Sequence, residues 1–524
     1  MKKIIIIFSS ILVVAIIAFA VFKFISSEGQ LKLIPKESIA VFTINFKSLS
    51  QKVDYDKIQK LSWYKEYQSQ KAVRSTEQIF KDALKNPSIS GINLLSNPYC
   101  AIILNKPEPM PAGLLVIKLS NSETFKSFIQ KLSKDTKIKN QGAIQTMKIS
   151  PKLFLAFNND YALFVANAEK NAESIAEKAF NQEENITSVE GFSDFQSEKK
   201  DMGAFINYAY MGDLMKGINP QLAPQIANMY KNLNMTLTST LNFEDSKIAI
   251  NAHTLYHDEA TKAKYKAIMK SGLSDEHLKC VSDKNILLFM GVAFNTDKLI
   301  ALFKETEQIK KIIEEIKGEI GLSDTEINQM IGGEFSMAFI DFKPVKKIKQ
   351  VFDYETFQVK TDTVTEPTPI FTVTLSTSNK TAVEKVIAKT QFPMLTQSLW
   401  QIPIPGMTMY LALTDKEVLL INDSLLATKF IKDKVLSTTV PEKLKSIASE
   451  NSCSYYTNLN LKDYPESLTS LIKKATGVKY PKIEKGLSNF VDVVAKGSMD
   501  GCSIDINMTK SNQNSLMRIL TIAE

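Results

Sequence analysis

Short apolar stretches rich in β-branched and aromatic residues alternate, from about residue 30 to residue 510, with segments whose apolar residues recur at helical spacing. The stretch 38–46 predicts a strand followed by helix through Leu61, and 285–294 predicts a strand followed by a helix over 296–317. Apolar strands are expected at 99–104 and 335–340. Strand 113–122 leads into a helix over 123–132, and strand 369–378 into one over 380–389, each with small polar residues suited to capping the helix. Strand 161–167 precedes a helix reaching Phe180, and strand 417–422 one reaching Lys434. The pattern closes with 203–207, 235–243 and 247–254 in one half, against 454–458, 493–499 and 502–508 in the other.

The matched elements lie roughly 250 residues apart in the same order, which predicts a tandem duplication. Turns at Asn158-Asn159-Asp160 and Thr414-Asp415 imply antiparallel pairing. The expected class is α+β: two homologous halves of mainly antiparallel sheet, with helices on one face. The first repeat spans 30–257, a helical connector 258–283, and the second repeat 284–524. The connector carries Ala260, Tyr265, Ile268 and Met269 at helix-like spacing. The stretch from Lys343 to Pro369, with Thr365-Glu366-Pro367-Thr368-Pro369, reads as an exposed excursion within the second half.

Ahead of the repeats, within residues 1–29, Lys2 and Lys3 precede an apolar run over 4–22 that is interrupted only by Ser9 and Ser10. Its length suits one membrane-spanning helix, and Ala18-Phe19-Ala20 suits signal-peptide cleavage, so a signal anchor and a signal peptide both fit. Either exports the remainder, to the periplasm or cell surface, with the membrane as a partner through residues 4–22 if the segment stays uncleaved.

Charge excludes one class of partner. The net +8 rests on 64 Lys+Arg against 56 Asp+Glu, yet Arg74 and Arg518 are the only arginines. Scattered lysine without arginine forks or interleaved aromatics reads as solvated surface, so no nucleic-acid partner is expected. In an exported chain Cys100, Cys280, Cys453 and Cys502 are free to pair, and Cys453 with Cys502, both near strand starts, is the best candidate pair. Neither CxxC nor zinc-ribbon spacing occurs.

Candidate chemistry is sparse. His253 and His257, with Asp258 and Glu259, superficially suit a metal face, but their place at a strand end favours packing or surface roles. The remaining histidine is His277, in the connector. Gly191-Phe192-Ser193-Asp194-Phe195 lacks the last glycine of a nucleophile elbow, and Gly332-Gly333 is an isolated pair opening a strand. Glu244-Asp245 falls in a hairpin turn. Trp63, beside Tyr64 and Tyr67 on a helix, and Trp400, ahead of Pro403 and Pro405 in an irregular stretch, read as packing residues. No catalytic, cofactor-binding or metal residue is singled out, and no cofactor is indicated.

The opening Leu33-Ile34-Pro35-Lys36-Glu37-Ser38-Ile39-Ala40-Val41, the step Asn45-Phe46-Lys47-Ser48-Leu49, and the strand-plus-helix units at 115–132 and 161–180 resemble an uncharacterised bacterial family of exported envelope proteins, described only as a domain of unknown function. The resemblance covers about residues 30–520 and implies an internally duplicated envelope protein. Many relatives look like lipoproteins, whereas this chain has no cysteine before Cys100 to carry a lipid. The expected function is a non-catalytic binding or assembly module tethered to the membrane, with an envelope protein or polysaccharide as partner. The alternative is an extracytoplasmic, hydrolase-type enzyme with acidic residues in a groove between the halves.

Overall fold

Apolar alternation becomes antiparallel sheet throughout the computed structural model. It describes residues 28–522, apart from 70–77, 80, 84–85, 105–110, 133–136, 169, 219–232, 283–285, 306, 354–356 and 405–406. The expected anchor or signal segment, 4–22, lies outside the described residues, and no described helix is long and apolar enough to cross a membrane. Contacts divide the chain into two units, residues 1–262 with 510–524, and residues 263–509.

The first unit contains β1 Ala40–Ile44, β2 Tyr99–Ile103, β3 Ala112–Lys118, β4 Lys139–Gln141, β5 Ile144–Ser150, β6 Leu153–Phe157, β7 Tyr161–Ala166, β8 Met202–Asn207, β9 Met235–Glu244 and β10 Lys247–Tyr256. Antiparallel pairing orders them β4-β5-β6-β7-β3-β2-β1-β8-β9-β10. The C-terminal helix Ser515–Thr521 belongs to this unit, where Asn514 Nδ2 donates to Phe243 O at 2.8 Å and Trp63 Nε1 donates to Leu520 O at 3.1 Å.

The second unit contains β11 Leu288–Ala293, β12 Glu334–Asp353, β13 Gln358–Ser376, β14 Met394–Thr396, β15 Leu399–Ile404, β16 Met407–Leu413, β17 Glu417–Ile421, β18 Cys453–Asn458, β19 Phe490–Ser498 and β20 Gly501–Met508. Their order is β14-β15-β16-β17-β13-β12-β11-β18-β19-β20, the same plan.

Helices cover both sheet faces rather than the expected one. Ala162 and Phe164 of β7 face the helix Ser122–Leu132, while Leu163 and Val165 face the opposite cluster, which holds Ala176 and Ala179 of the helix Ala172–Asn181. A strand apolar at every position needs cover on both sides. Asn121 and Asn379 start the matched helices, accepting from Thr124 N at 2.8 Å and Ala382 N at 3.0 Å.

The connector is helical as expected, made of Glu259–Lys266 and Asp275–Lys279, parted around Gly272, where a Cβ would lie 2.3 Å from Ser449 O. The exposed excursion expected at 343–369 is present, and it is a regular ribbon, with β12 and β13 paired from Phe342↔Pro369 to Asp353↔Gln358 beyond the reach of β11 and β17. Two expectations need correction. Trp400 lies in strand β15, buried against Val383, Ile387 and Leu413, not in an irregular stretch. Cys453 and Cys502 are free. Both pair with Gly497 from opposite sides, so a strand separates them by about 9.6 Å, beyond the ~7 Å a disulfide spans.

Candidate functional site

The helix Asp275–Lys279 is barely more than one turn, and its Ser274 cap holds it through a bond from His277 N to Oγ at 3.2 Å. Such a short helix is not stable alone, so its docking decides whether it forms. The sheet supplies that docking through hydroxyl and carboxylate groups. Inward positions alternate along each strand: Ser336, Ala338 and Ile340 on β12, Thr372 and Thr374 on β13, and Glu417, Leu419 and Ile421 on β17. Thr372 Oγ1 donates to Val281 O at 2.9 Å, occupying a carbonyl just beyond the helix end.

His277 is fully buried at the centre of this contact. Its Nδ1 lies 3.0 Å from Glu417 Oε2, and its Nε2 lies 3.0 Å from Ser336 Oγ. Glu334, at the start of β12, accepts from Ser274 N at 2.5 Å and from Ser274 Oγ at 3.0 Å. A tight turn fixes Glu417, whose N–H donates to Thr414 Oγ1 at 3.0 Å. Burial raises the Glu417 pKa above the usual carboxylate range, opposed by the His277 bond. Burial likewise raises the thiol pKa of Cys280, whose Sγ donates to Glu276 O at 3.3 Å, so it stays protonated and unreactive.

Ser336, His277 and Glu417 thus have the heavy-atom spacing of a hydrolase triad. Access decides against that chemistry: Ser336 is 1% exposed and His277 0%, on an interior strand under a helix. A nucleophile must reach a carbonyl carbon with oxyanion donors about 3 Å away, and here both sides of the hydroxyl are packed.

Two open cavities in the same unit avoid the cluster. One, of about 570 Å³ at the root of the ribbon, is lined by Lys343, Lys346, Tyr410, Asn422, Asp423 and apolar neighbours. Asp423 caps the helix Ser424–Asp433, accepting from Leu425 N and Leu426 N at 3.0 and 2.9 Å, and pairs with Lys343. Burial pulls its pKa up, but those partners outweigh it and the net shift is downward. The other, about 350 Å³, holds Tyr456, whose hydroxyl pKa is pushed up to about 12, by burial first and by Asp492 and Asp463 next. Neither pairs a base with a nucleophile.

The residues considered from sequence are scattered. His257 Nδ1 lies 2.9 Å from Glu190 Oε2, one residue past the end of β10, and His253 lies within β10, so about 13 Å of extended chain parts the two, too far to share one ion. Gly191 is the left-handed entry to the helix Phe192–Ser197, and Glu244 and Asp245 sit in the β9–β10 turn. The central group, His277 with Glu334, Ser336 and Glu417, is not singled out by any sequence motif. Its sequence signal is a mismatch between halves: Glu417 opens an apolar strand where the first half has Tyr161.

A family described as a domain of unknown function (DUF4836) matches residues 31–516. No curated protein is similar to the chain. Among solved structures, "Structure of crystal form I of TP0453" is 11% identical, with 44% of this chain and 81% of that chain covered at a TM-score of 0.26. "Structure of crystal form III of TP0453" is 8% identical, with 44% and 83% covered at the same TM-score of 0.26.

Proposed function

The chain belongs to the DUF4836 family, which brings no reaction with it, and on that premise we propose an exported envelope protein that acts as a non-catalytic binding or assembly module. The apolar segment 4–22 supports export in this reading, with the chain held at the cytoplasmic membrane if the segment stays uncleaved and released if it is cleaved. The observation that carries the binding reading is the ribbon. Past Phe342↔Pro369 its two strands pair only with each other among the described strands, and it ends in Phe352 and Phe357, 44% and 77% exposed, with ring centroids 6.3 Å apart. Exposed aromatics at the end of a projecting ribbon suit a protein partner, which gains rigid apolar contacts and free strand edges. The sealed Ser336–His277–Glu417 array favours binding over hydrolysis.

Tandem duplication belongs to the same reading. It is supported by the shared strand order and by paired bonds: Leu119 N donates to Asp160 O as Thr377 N does to Lys416 O, both at 2.7 Å. Asn45 N donates to Asp201 O as Ala293 N does to Ser452 O, again both at 2.7 Å.

A photo-crosslinking residue at Phe357, in the full chain within intact cells, tests the binding role. One discrete adduct with an envelope protein is expected, reduced by Phe352→Ser. Adducts no different from those formed at an exposed control such as Val478 would sink the binding reading. Cell fractionation with N-terminal sequencing tests export, and recovery in the cytosol would overturn it.

A further inference from the structure

We propose that His277, Glu334 and Glu417 form a site for one divalent transition-metal ion of the zinc type, which clamps the helix Asp275–Lys279 to the second sheet. Each residue offers one ligand atom, and the three atoms lie within 4.8 Å of one another. They come from three separate segments, so an ion there would join the connector to β12 and β17.

The donor set selects the metal. One imidazole and two carboxylates suit zinc, whereas calcium takes six to eight oxygens and magnesium keeps most of its water. Zinc bonds of about 2.1 Å hold tetrahedral ligand atoms about 3.4 Å apart. The Nδ1 of His277 and Oε2 of Glu417 are already at 3.0 Å, so an ion replaces the proton between them once the carboxylate swings off the line of that bond. That proton leaves to solvent, and a water completes the coordination.

The surrounding groups are those that hold metal ligands in place. The Nε2 of His277 faces Ser336 Oγ, which fixes the ring, and the N–H and hydroxyl of Ser274 hold both oxygens of Glu334. The charge points the same way. Among the described residues, neither Glu334 nor Glu417 pairs with a lysine or arginine, although Glu417 is buried. The first unit treats its buried carboxylate differently: Asp201 has the Lys52 ammonium at 2.5 Å, with Ser48 Oγ at 2.6 Å and Phe243 N at 2.6 Å. A buried and a half-buried carboxylate that face one imidazole and neutral donors are a setting in which a bound cation is stabilised.

The test uses the full chain, purified without a polyhistidine tag and dialysed against trace zinc. Elemental analysis should find close to one zinc per chain, and a competing chromophoric chelator gives the affinity. Glu334→Gln with Glu417→Gln should abolish retention, and Ser336→Ala should weaken it about tenfold without abolishing it. Hydrogen exchange at residues 273–281 should slow on zinc addition in the wild type alone. A folded wild type that holds no zinc overturns the proposal, whatever the variants do. So does zinc retained by the doubly substituted chain at wild-type affinity, because the ion would then sit elsewhere.

Discussion

The short helix ahead of the first strand rests on an apolar floor in one unit and a polar floor in the other. In the first unit the 3-10 helix Glu28–Leu33 buries Leu31 and Leu33 in a cluster with Tyr99, Leu114 and Val116. In the second, the helix Asp275–Lys279 buries His277, and the strand positions corresponding to Tyr99, Leu114 and Val116 carry Ser336, Thr372 and Thr374. That correspondence is fixed by the bonds that end the two strands, Leu119 to Asp160 and Thr377 to Lys416, and it also sets Tyr161 against Glu417. One topology therefore accepts either an oily or a hydrogen-bonded joint. The apolar joint tolerates change in proportion to volume, whereas the polar joint holds only while every partner is present.

Trp63 lies in the first unit and Trp400 in the second, so fluorescence in Trp400→Phe and Trp63→Phe backgrounds follows each unit separately through urea unfolding. The largest expected effect is His277→Ala measured with chelator present, which strands the Glu417 carboxylate in the interior. It should destabilise the second unit by about 3–5 kcal/mol and leave the first unchanged. Replacing His277, Ser336 and Glu417 together by Leu, Ala and Leu rebuilds the joint in the style of the first unit and should be neutral or stabilising. A triple variant worse than His277→Ala would show that the polar joint contributes more than its internal bonds. Leu31→Ala is the counterpart in the first unit, expected to cost about 2–5 kcal/mol whether or not chelator is present. Ser274→Ala, which removes the cap and one bond to Glu334, should cost about 1 kcal/mol, seen as faster exchange at His277 and Leu278.

Strands were legible where side chains alternate or run apolar, and so β3, β7, β13 and β17 fall within a residue or two of their expected places at one end at least. Proline misled at one site. Pro403 suggested irregular chain around Trp400, yet it sits in β15 beyond the stretch where β14 pairs, so its missing N–H costs no bond on that side. Pro344, Pro367 and Pro369 are tolerated for the same reason in a ribbon whose outer edges meet no other described strand. The site was hidden for a different reason. Its members are 140 positions apart at the extremes, as the His277–Glu417 bond records, and only strand pairing brings them together. The one local clue, a carboxylate at an inward position of an apolar strand, becomes visible only when the halves are laid over each other.

A pH-dependent effect is expected from a charge that the first unit buries without a carboxylate. Lys200 donates to Phe195 O and to Glu198 O at 3.2 Å, and its ammonium lies 4.0 Å from the Phe195 ring centroid. Burial pushes its pKa down from 10.5 to about 8, with Glu198 opposing weakly. Between those values the unfolded chain holds a proton that the folded chain has released, so the stability of the first unit gains from this site as pH rises through the window. Below pH 8 both states are protonated, and the cost of burying the charge is present in full. Lys200→Met removes that cost, so the variant should unfold at higher urea than the wild type at pH 7, with the gap narrowing towards pH 10. The second unit, followed by Trp400, should not move in either case. A gap that stays constant across the range would mean that the ammonium is solvated in the folded state, and that Lys200 contributes through its methylene packing alone.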